Sequence, residues 1–482
     1  MKTYQLLING EWVSANSGKT FTTYNPTITE PIAEIAQADE SDVQKAVHAA
    51  RQAFEEGKWS GMPASQRGKY LRKLSELIYE NLEEIAQLET QDVGKPIRDS
   101  RDEVAAAAYC FEYYAGAVTR FFGETIPVSK RGLDFTLREP CGVCAVIVPW
   151  NFPFPMAAWK CAPALASGNT VILKPASYTP LTALYLGKLA LEAGIPKGVF
   201  NIITGPGSSA GGALVAHPEV DKISFTGETS TGVGIMKSAA DCIKRVSLEL
   251  GGKSPNVVFA DADVEKAARS SVLAVFGNCG QDCCARSRAF VEQSVYDQFV
   301  EAFVDQTQKT KVGDPKDDQT EIGPMVSMKQ RETVCNYMKA GLDEGAKLAF
   351  GGALLEDGEY AKGSFLQPAV FTGASNSMKI AREEIFGPVL TVIPFTDERE
   401  MIRQVNDSPY GLSGSVWTNN ISKALRTVKK IRSGVLSINC NSSVHTEAPF
   451  GGYKQSGTGR DLGMYGLQNF TEVKNVFIDI GE

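Results

Sequence analysis

Apolar positions recur at three- and four-residue spacing through residues 64–88, where Leu71, Leu74, Ile78, Leu82 and Ile85 would share one helical face. Gly94 and Pro96 stop that pattern. Residues 41–56 repeat it, and residues 102–118 predict a third, alanine-rich helix. Ahead of them, residues 1–12 alternate apolar and polar positions and turn at Asn9-Gly10, which predicts a hairpin rather than a leader peptide. Residues 121–138 alternate again, as does the tail 470–480. Two extended segments so far apart in sequence are expected to pair, within one subunit or between two.

From residue 141 the pattern becomes regular. Apolar runs at 143–148, 170–173, 199–203, 223–225 and 246–250 predict buried strands. Helical stretches separate them, one starting at Thr179-Pro180 and stopping at Gly194, another starting at Ser230. Strands alternating with helices wind into a parallel α/β sheet, which binds ligands at the carboxyl ends of its strands. A second region, 253–450, repeats the theme. It has a polar loop at 314–323, helices at 328–344 and 421–431, strands at 365–370, 389–393 and 435–438, and a polar approach at 439–447.

The chain has 482 residues, 43% apolar and 22% charged, with net charge −7, which suits two or three soluble domains around a large core. The acidic balance argues against nucleic acid or an anionic membrane as partner. No apolar run approaches the roughly 20 residues a membrane span needs, so a cytoplasmic protein is expected. Ten cysteines in a chain of this length do not make a disulfide framework. Cys141-x-x-Cys144 lies inside a strand pattern with no second Cys/His pair, and His48, His217 and His445 are the only histidines, so no metal is expected.

Adjacent cysteines in Gly280-Gln281-Asp282-Cys283-Cys284 stand between a helical run, 267–276, and a strand-like run, 289–291. A thiol there is a nucleophile, a metal ligand or a core residue. Glu249 ends a buried strand before Gly251-Gly252, and Asn151 follows Pro149-Trp150. A thiol, a carboxylate able to activate water and an amide to hold an oxyanion together describe acyl chemistry through a thioester. Singly, each has a plainer reading as packing, capping or a turn. Gly205-Pro206-Gly207-Ser208-Ser209-Ala210 fits G-x-G-x-x-A, a weak dinucleotide signal. Lys174 at a strand end and Thr226-Gly227-Glu228 at a helix start add weight to a nucleotide site.

Pro149-Trp150-Asn151-Phe152-Pro153, Leu173-Lys174-Pro175-Ala176, Phe225-Thr226-Gly227, Leu248-Glu249-Leu250-Gly251-Gly252-Lys253, Gly280-Gln281-x-Cys283, Glu384-Ile385-Phe386-Gly387-Pro388 and Pro449-Phe450-Gly451-Gly452 follow in that order. The series closely resembles that of the aldehyde dehydrogenase superfamily and covers essentially the whole chain. The resemblance implies a doubly wound Rossmann-like cofactor domain (1–120 and 141–251), an α/β catalytic domain (252–452) and a small oligomerisation ribbon with its tail (121–140 and 453–482). It implies NAD or NADP as cofactor, a homodimer or homotetramer, and oxidation of an aldehyde to the acid. Cys283 would be the nucleophile with Cys284 its neighbour, Asn151 the oxyanion donor and Glu249 the base for water. Lys174 and Glu384 would hold ribose hydroxyls, Phe386 would lie by the nicotinamide and Gly207 by the adenine, with Trp150, Ser177 and Gly227 also on the cofactor side. Phe152, Met156, Trp159, Asp282 and Phe450 would line the substrate pocket, and His445 would belong to the substrate loop.

Three positions depart from the family pattern. Ser177 stands where many NAD-specific members carry Glu, leaving room for a 2′-phosphate. Glu228 places an acid at a helix start where small hydroxyl residues are frequent. Asp282 precedes the nucleophile, where it either favours a cationic substrate tail or is a solvated loop residue; Arg286 would neutralise it or attract a carboxylate-bearing semialdehyde. Candidate substrates are therefore an aminoaldehyde, betaine aldehyde or a semialdehyde. The rival readings are a CoA-acylating semialdehyde dehydrogenase, against which Glu249 argues, a non-catalytic binding or structural protein on the same fold and, weakest, a redox or metal protein built on Cys283-Cys284.

Overall fold

The computed structural model describes residues 1–442 and 444–481; Ser443, in the expected polar approach, and Glu482, at the end of the tail, lie outside the described residues. The N-terminal alternation closes into the hairpin Leu6–Ile8 and Glu11–Val13, with Asn9 and Gly10 at φ 54° and 75°. Two successive left-handed residues are what a type I′ turn requires. Helix Glu40–Glu55 is capped by Asp39, whose carboxylate accepts from the N–H groups of Ser41 and Asp42.

The helix expected over 64–88 is two helices, Ala64–Glu80 and Leu82–Val93, broken at Asn81. The Asn81 side chain donates to the Leu77 carbonyl at 2.8 Å and accepts from the Tyr185 hydroxyl at 2.8 Å, diverting the chain from a continuous ladder. Gly94, left-handed at φ 85°, ends the second helix. Pro96 then starts Ile97–Ala117, five residues before the expected helix.

The first large sheet runs, edge to edge, Gly457–Thr458, Arg245–Glu249, Lys222–Thr226, Val143–Ile147, Thr170–Lys174, Phe200–Ile202, Leu6–Ile8 and Glu11–Val13. Its five central strands pair in parallel, and in chain order they lie 5-4-1-2-3. The order reverses between Val143–Ile147 and Lys222–Thr226, so a crevice opens beyond their carboxyl ends, where Trp150 and Gly227 follow. Helices Ala64–Glu80, Ile97–Ala117 and the wholly buried Pro153–Ala166 pack on one face around Leu71, Phe111, Phe154 and Leu173. Helix Glu40–Glu55 covers the other face with Val43, Val47, Ile172 and Ile223.

The second sheet runs Lys347–Gly351, Ala369–Thr372, Val389–Phe395, Arg288–Glu292, Pro255–Val258, Ser413–Trp417 and Val435–Ile438, parallel except at its first strand. The strand expected over 365–370 is Ala369–Thr372: Pro368 has no N–H to give, so the ladder begins after it. The two alternating segments pair within this chain. Thr471–Asp479 runs antiparallel along Gly132–Pro140 from Thr471↔Pro140 to Asp479↔Gly132, and Thr125–Ile126 adds a third short strand. Among the described residues, no helix is long and apolar enough to cross a membrane.

Candidate active site

The nucleophile loop leaves helix Val264–Phe276 through an unusual backbone. Asn278, Cys279 and Gly280 are all left-handed, at φ 50°, 54° and 68°. For the two non-glycines this costs roughly 1–2 kcal/mol each, and hydrogen bonds hold it. The Asn278 amide donates to the Asn151 carbonyl at 2.9 Å and the Gln281 carbonyl at 3.3 Å, while Gln281 Nε2 donates to the Asn278 carbonyl at 3.0 Å and Gln281 Oε1 accepts from the Val326 N–H at 2.9 Å. Gly280 presses on the 384–388 segment: a Cβ there would lie 2.2 Å from the Gly387 carbonyl oxygen. Gly252 presses on the nucleophile itself, since its Cβ would lie 2.1 Å from the Cys283 carbonyl oxygen. The glycines of two separate motifs thus serve backbone contact around Cys283.

Glu249 ends its strand opposite this loop. It is 4% exposed, and neither carboxyl oxygen has a hydrogen-bond partner. Burial raises its pKa to about 7, against the opposing pull of the nearby Cys283 thiol, which is close enough to act on the carboxyl without making a bond of proper geometry. The Cys283 thiol is half-exposed, and its pKa stands well above the usual value, through the neighbouring Cys284 thiol, burial and the negative charge of Glu249. Asn151 is 4% exposed, and its Nδ2 donates to the Gln281 carbonyl at 2.9 Å. That amide carries two hydrogens, so a second donor remains for an oxyanion. The structure therefore brings Asn151, Glu249 and Cys283 to one place.

Sequence reasoning missed the ion pair behind them. Lys160 and Asp461 meet at 2.7 Å, 1% and 5% exposed, and both charges act on Glu249. The signal was present: Lys160 is the one charged residue in the buried run Pro153–Ala166.

On the cofactor side, Lys174 is 3% exposed and donates to the Pro175 carbonyl at 3.1 Å; burial alone lowers its pKa to about 8. It faces the glycine turn, where a Cβ on Gly211 would lie 3.3 Å from Lys174 Cε. Ser177 donates to the Gly205 carbonyl at 3.0 Å. A Cβ on Gly207 would meet nothing within 4 Å, so the turn opens onto space. It follows the third parallel strand rather than the first, away from the reversal point. Gly227 donates its N–H to the Glu249 carbonyl at 3.1 Å, and the Glu228 carboxylate accepts from the Ser230 hydroxyl at 2.7 Å, drawn along its own helix. From the second sheet, Glu384 accepts from the Gly252 N–H at 2.8 Å, and burial raises its pKa to about 8. Phe386, at φ 55°, sets its ring edge-to-face with Trp150, centroids 5.2 Å apart. Buried Lys174, Glu384, the aromatic pair and the uncrowded glycine turn are groups that fit a dinucleotide.

On the substrate side, Trp159 and Phe450 meet edge-on at 5.2 Å, and with Met156 they are at most 8% exposed and join the core that includes Cys284. Phe152 is half-buried, with the Lys95 ammonium 4.1 Å from its ring centroid; Lys95 is itself buried and paired with Glu103. Nearer the surface, Tyr109 bonds Glu447. Asp282 is half-exposed, accepts from the Cys284 N–H at 2.8 Å, and has its pKa raised by burial against the charges of Arg286 and Lys95. Arg286 cannot attract a substrate carboxylate. It is 1% exposed and bonded to the Ser415 hydroxyl at 2.7 Å and to the Cys284 carbonyl.

Comparison with known proteins matches this arrangement. The model of the aldehyde dehydrogenase family matches residues 12–476. The chain is 47% identical to an aldehyde dehydrogenase family 2 member B4 from Arabidopsis thaliana, over 98% of this chain and 87% of that protein. It is 44% identical to a betaine aldehyde dehydrogenase from Bacillus subtilis, over 98% and 96%. Its fold superimposes on the NAD+ complex of a Bacillus cereus aldehyde dehydrogenase with a TM-score of 0.97, at 46% identity and covering 100% and 97% of the two chains. Ordered motifs, two wound sheets and the residues gathered between them lead to one conclusion: this chain belongs to the aldehyde dehydrogenase family.

Proposed function

We propose that the protein oxidises an aldehyde to its carboxylic acid with NAD or NADP, using Cys283 as nucleophile, Asn151 as oxyanion donor and Glu249 as base. The observation that carries this reading is the pairing of a half-exposed thiol with a buried carboxyl that has no other partner. Cys283 is a thiol at rest, because Cys284, burial and Glu249 all disfavour the thiolate. Glu249, with a pKa of about 7, is ionised in a substantial fraction of molecules at neutral pH and faces that thiol, so it can take the proton as sulfur bonds to the aldehyde carbon. The free N–H of the Asn151 amide and the Cys283 backbone N–H hold the developing oxyanion. A nicotinamide held beside Phe386 and Trp150 would supply the acceptor for the hydride of that carbon. Once Glu249 has released that first proton to solvent, its carboxylate removes a proton from the water that cleaves the Cys283 thioester, and Lys160 and Asp461 set the charge around it.

Trp150, Lys174, Ser177, Gly207, Gly227, Glu384 and Phe386 would hold the dinucleotide. Ser177 presents no carboxylate to repel a 2′-phosphate beside Lys174, so NADP is accepted alongside NAD. The substrate carries a moderately apolar chain, set against Phe152, Met156, Trp159 and Phe450, with a cationic tail favoured by Asp282. Arg286 does not select a semialdehyde carboxylate, since its guanidinium is buried and bonded to Ser415 and Cys284. Exposed Leu133, Leu137, Val473, Phe477 and Ile478 on the ribbon fit a homodimer or homotetramer. Ten cysteines, all free, fit a reducing, cytoplasmic setting.

The test is aldehyde-dependent formation of reduced cofactor, with 4-aminobutanal, betaine aldehyde, succinic semialdehyde and hexanal, each with NAD and NADP. Turnover independent of CoA and lost in Cys283→Ala is expected. Hexanal favoured by orders of magnitude would remove the cationic tail, and complete discrimination against NADP would remove the second cofactor.

A further inference from the structure

Asp282, Cys283 and Cys284 offer a carboxylate oxygen and two sulfurs that all lie within 4.8 Å of one another. Asp282 and Cys283 are half-buried, so part of the group is accessible, while Cys284 forms its buried wall. The Glu249 carboxyl, 4% exposed and without a hydrogen-bond partner on either oxygen, supplies further negative charge beside the Cys283 sulfur. The adjacent Arg286 guanidinium bonds the Ser415 hydroxyl and the Cys284 carbonyl oxygen, and its charge also acts on Asp282 and Cys284, so a bound metal ion would have to compete with it.

We propose that Asp282, Cys283 and Cys284 form a binding site for a soft divalent cation such as Zn2+, and that filling the site reversibly blocks the nucleophile. Binding stands on the donor set alone; the blocking rests on Cys283 being the nucleophile. A tetrahedral zinc with bonds of about 2.3 Å to sulfur and 2.0–2.2 Å to oxygen spans ligand pairs of roughly 3.5 Å. The three donor atoms already lie within 4.8 Å of one another, so only a short contraction separates them from that spacing. Two sulfurs and one carboxylate select zinc or cadmium over magnesium or calcium, which prefer all-oxygen sites. Each thiol releases its proton to water as its sulfur binds the metal, and no electrons are transferred. The lone pair that would attack an aldehyde is then held by the metal. Asp282 and Cys284 flank a residue the chemistry needs anyway.

Equilibrium dialysis of the reduced full-length protein against Zn2+ measures binding without reference to turnover. One zinc per subunit is expected, with affinity falling at least about tenfold in Cys284→Ser, where a thiolate donor is lost. Prior alkylation of Cys283 with iodoacetamide should abolish it, and bound zinc should in turn protect Cys283 from alkylation in the unmodified protein. Co2+ in place of zinc should show a thiolate-to-metal charge-transfer band that weakens in Cys284→Ser. Unchanged binding in Cys284→Ser and after alkylation would place the metal at another site, such as the exposed Cys242 or Cys440, and overturn the proposal. Turnover should fall with the same zinc midpoint as binding and return with EDTA. Binding with undiminished turnover would overturn the blocking and the assignment of Cys283 together. Absence of binding in an enzyme that still requires Cys283 would overturn the metal site alone.

Discussion

Two glycine-bearing turns read alike in the sequence and behave oppositely in the molecule. In the nucleophile loop, Gly280 is wedged against Gly387, and three successive left-handed residues are held by Asn278, Gln281 and Asn151. In the 205–211 turn, Gly207 borders open space. The first turn uses the missing side chain to let protein meet protein, the second to leave room for something else. A catalytic thiol needs its position held to fractions of an ångström, because reacting groups must meet in a near-attack geometry. A cofactor turn needs an approach for phosphates or an adenine, and rigidity there adds little.

Glu249→Gln tests the braced region most severely. It should lower kcat by about 10²–10⁴, with no initial burst of reduced cofactor in stopped-flow measurements, because the base for the Cys283 thiol is lost together with the base for the water. In the unmodified protein kcat should rise with pH through about 7, as Glu249 ionises, and that inflection should vanish in the variant. The linkage has the same cause. Folded Glu249 keeps its proton up to about pH 7 while the unfolded residue releases it near 4.5, so the residue favours folding at low pH and loses that contribution as pH rises through the window. A pH-independent kcat between 6 and 8 would break the assignment.

Asn151→Ala should cost about 10²–10³ in kcat, and the lost bond to the Gln281 carbonyl about 1 kcal/mol of stability. Activity lost without any change in stability would mean that the amide does not brace the loop.

Gly280→Ala and Gly207→Ala then set the two turns directly against each other. At Gly280 the left-handed backbone alone costs roughly 1–2 kcal/mol, and the Cβ would also clash with the Gly387 carbonyl at 2.2 Å, so a lowered Tm and slower alkylation of Cys283 are expected. At Gly207 the stability change should stay within about 0.5 kcal/mol, with a rise in cofactor KM worth on the order of 1 kcal/mol. If both variants lost stability equally, the contrast between the turns would be wrong.

Much of the scaffold was legible because periodicity reports burial. The hairpin at Asn9-Gly10, the five parallel strands and the helix starting near Pro180 each follow from a local pattern. Errors arose where a distant partner decides. Asn81 breaks a helix whose apolar spacing continues across it, because Tyr185, a hundred residues on, holds its side chain. Arg286 read as an available cation beside the nucleophile, yet Ser415 takes its guanidinium. The Lys160–Asp461 pair could be suspected only from one charge in an apolar run, since its partner lies in another part of the chain.

The sequence by itself determined the order of elements, the wound α/β class and the types of residue available for acyl chemistry, since these depend on spacing and composition within short windows. The tertiary structure alone decided that Cys283, Glu249 and Asn151 meet and that the ribbon closes on its own chain. It also decided that Arg286 is spent inside the protein. These outcomes rest on burial and on contacts between residues far apart in the chain, which set both the strength of a charge and the partner it finds.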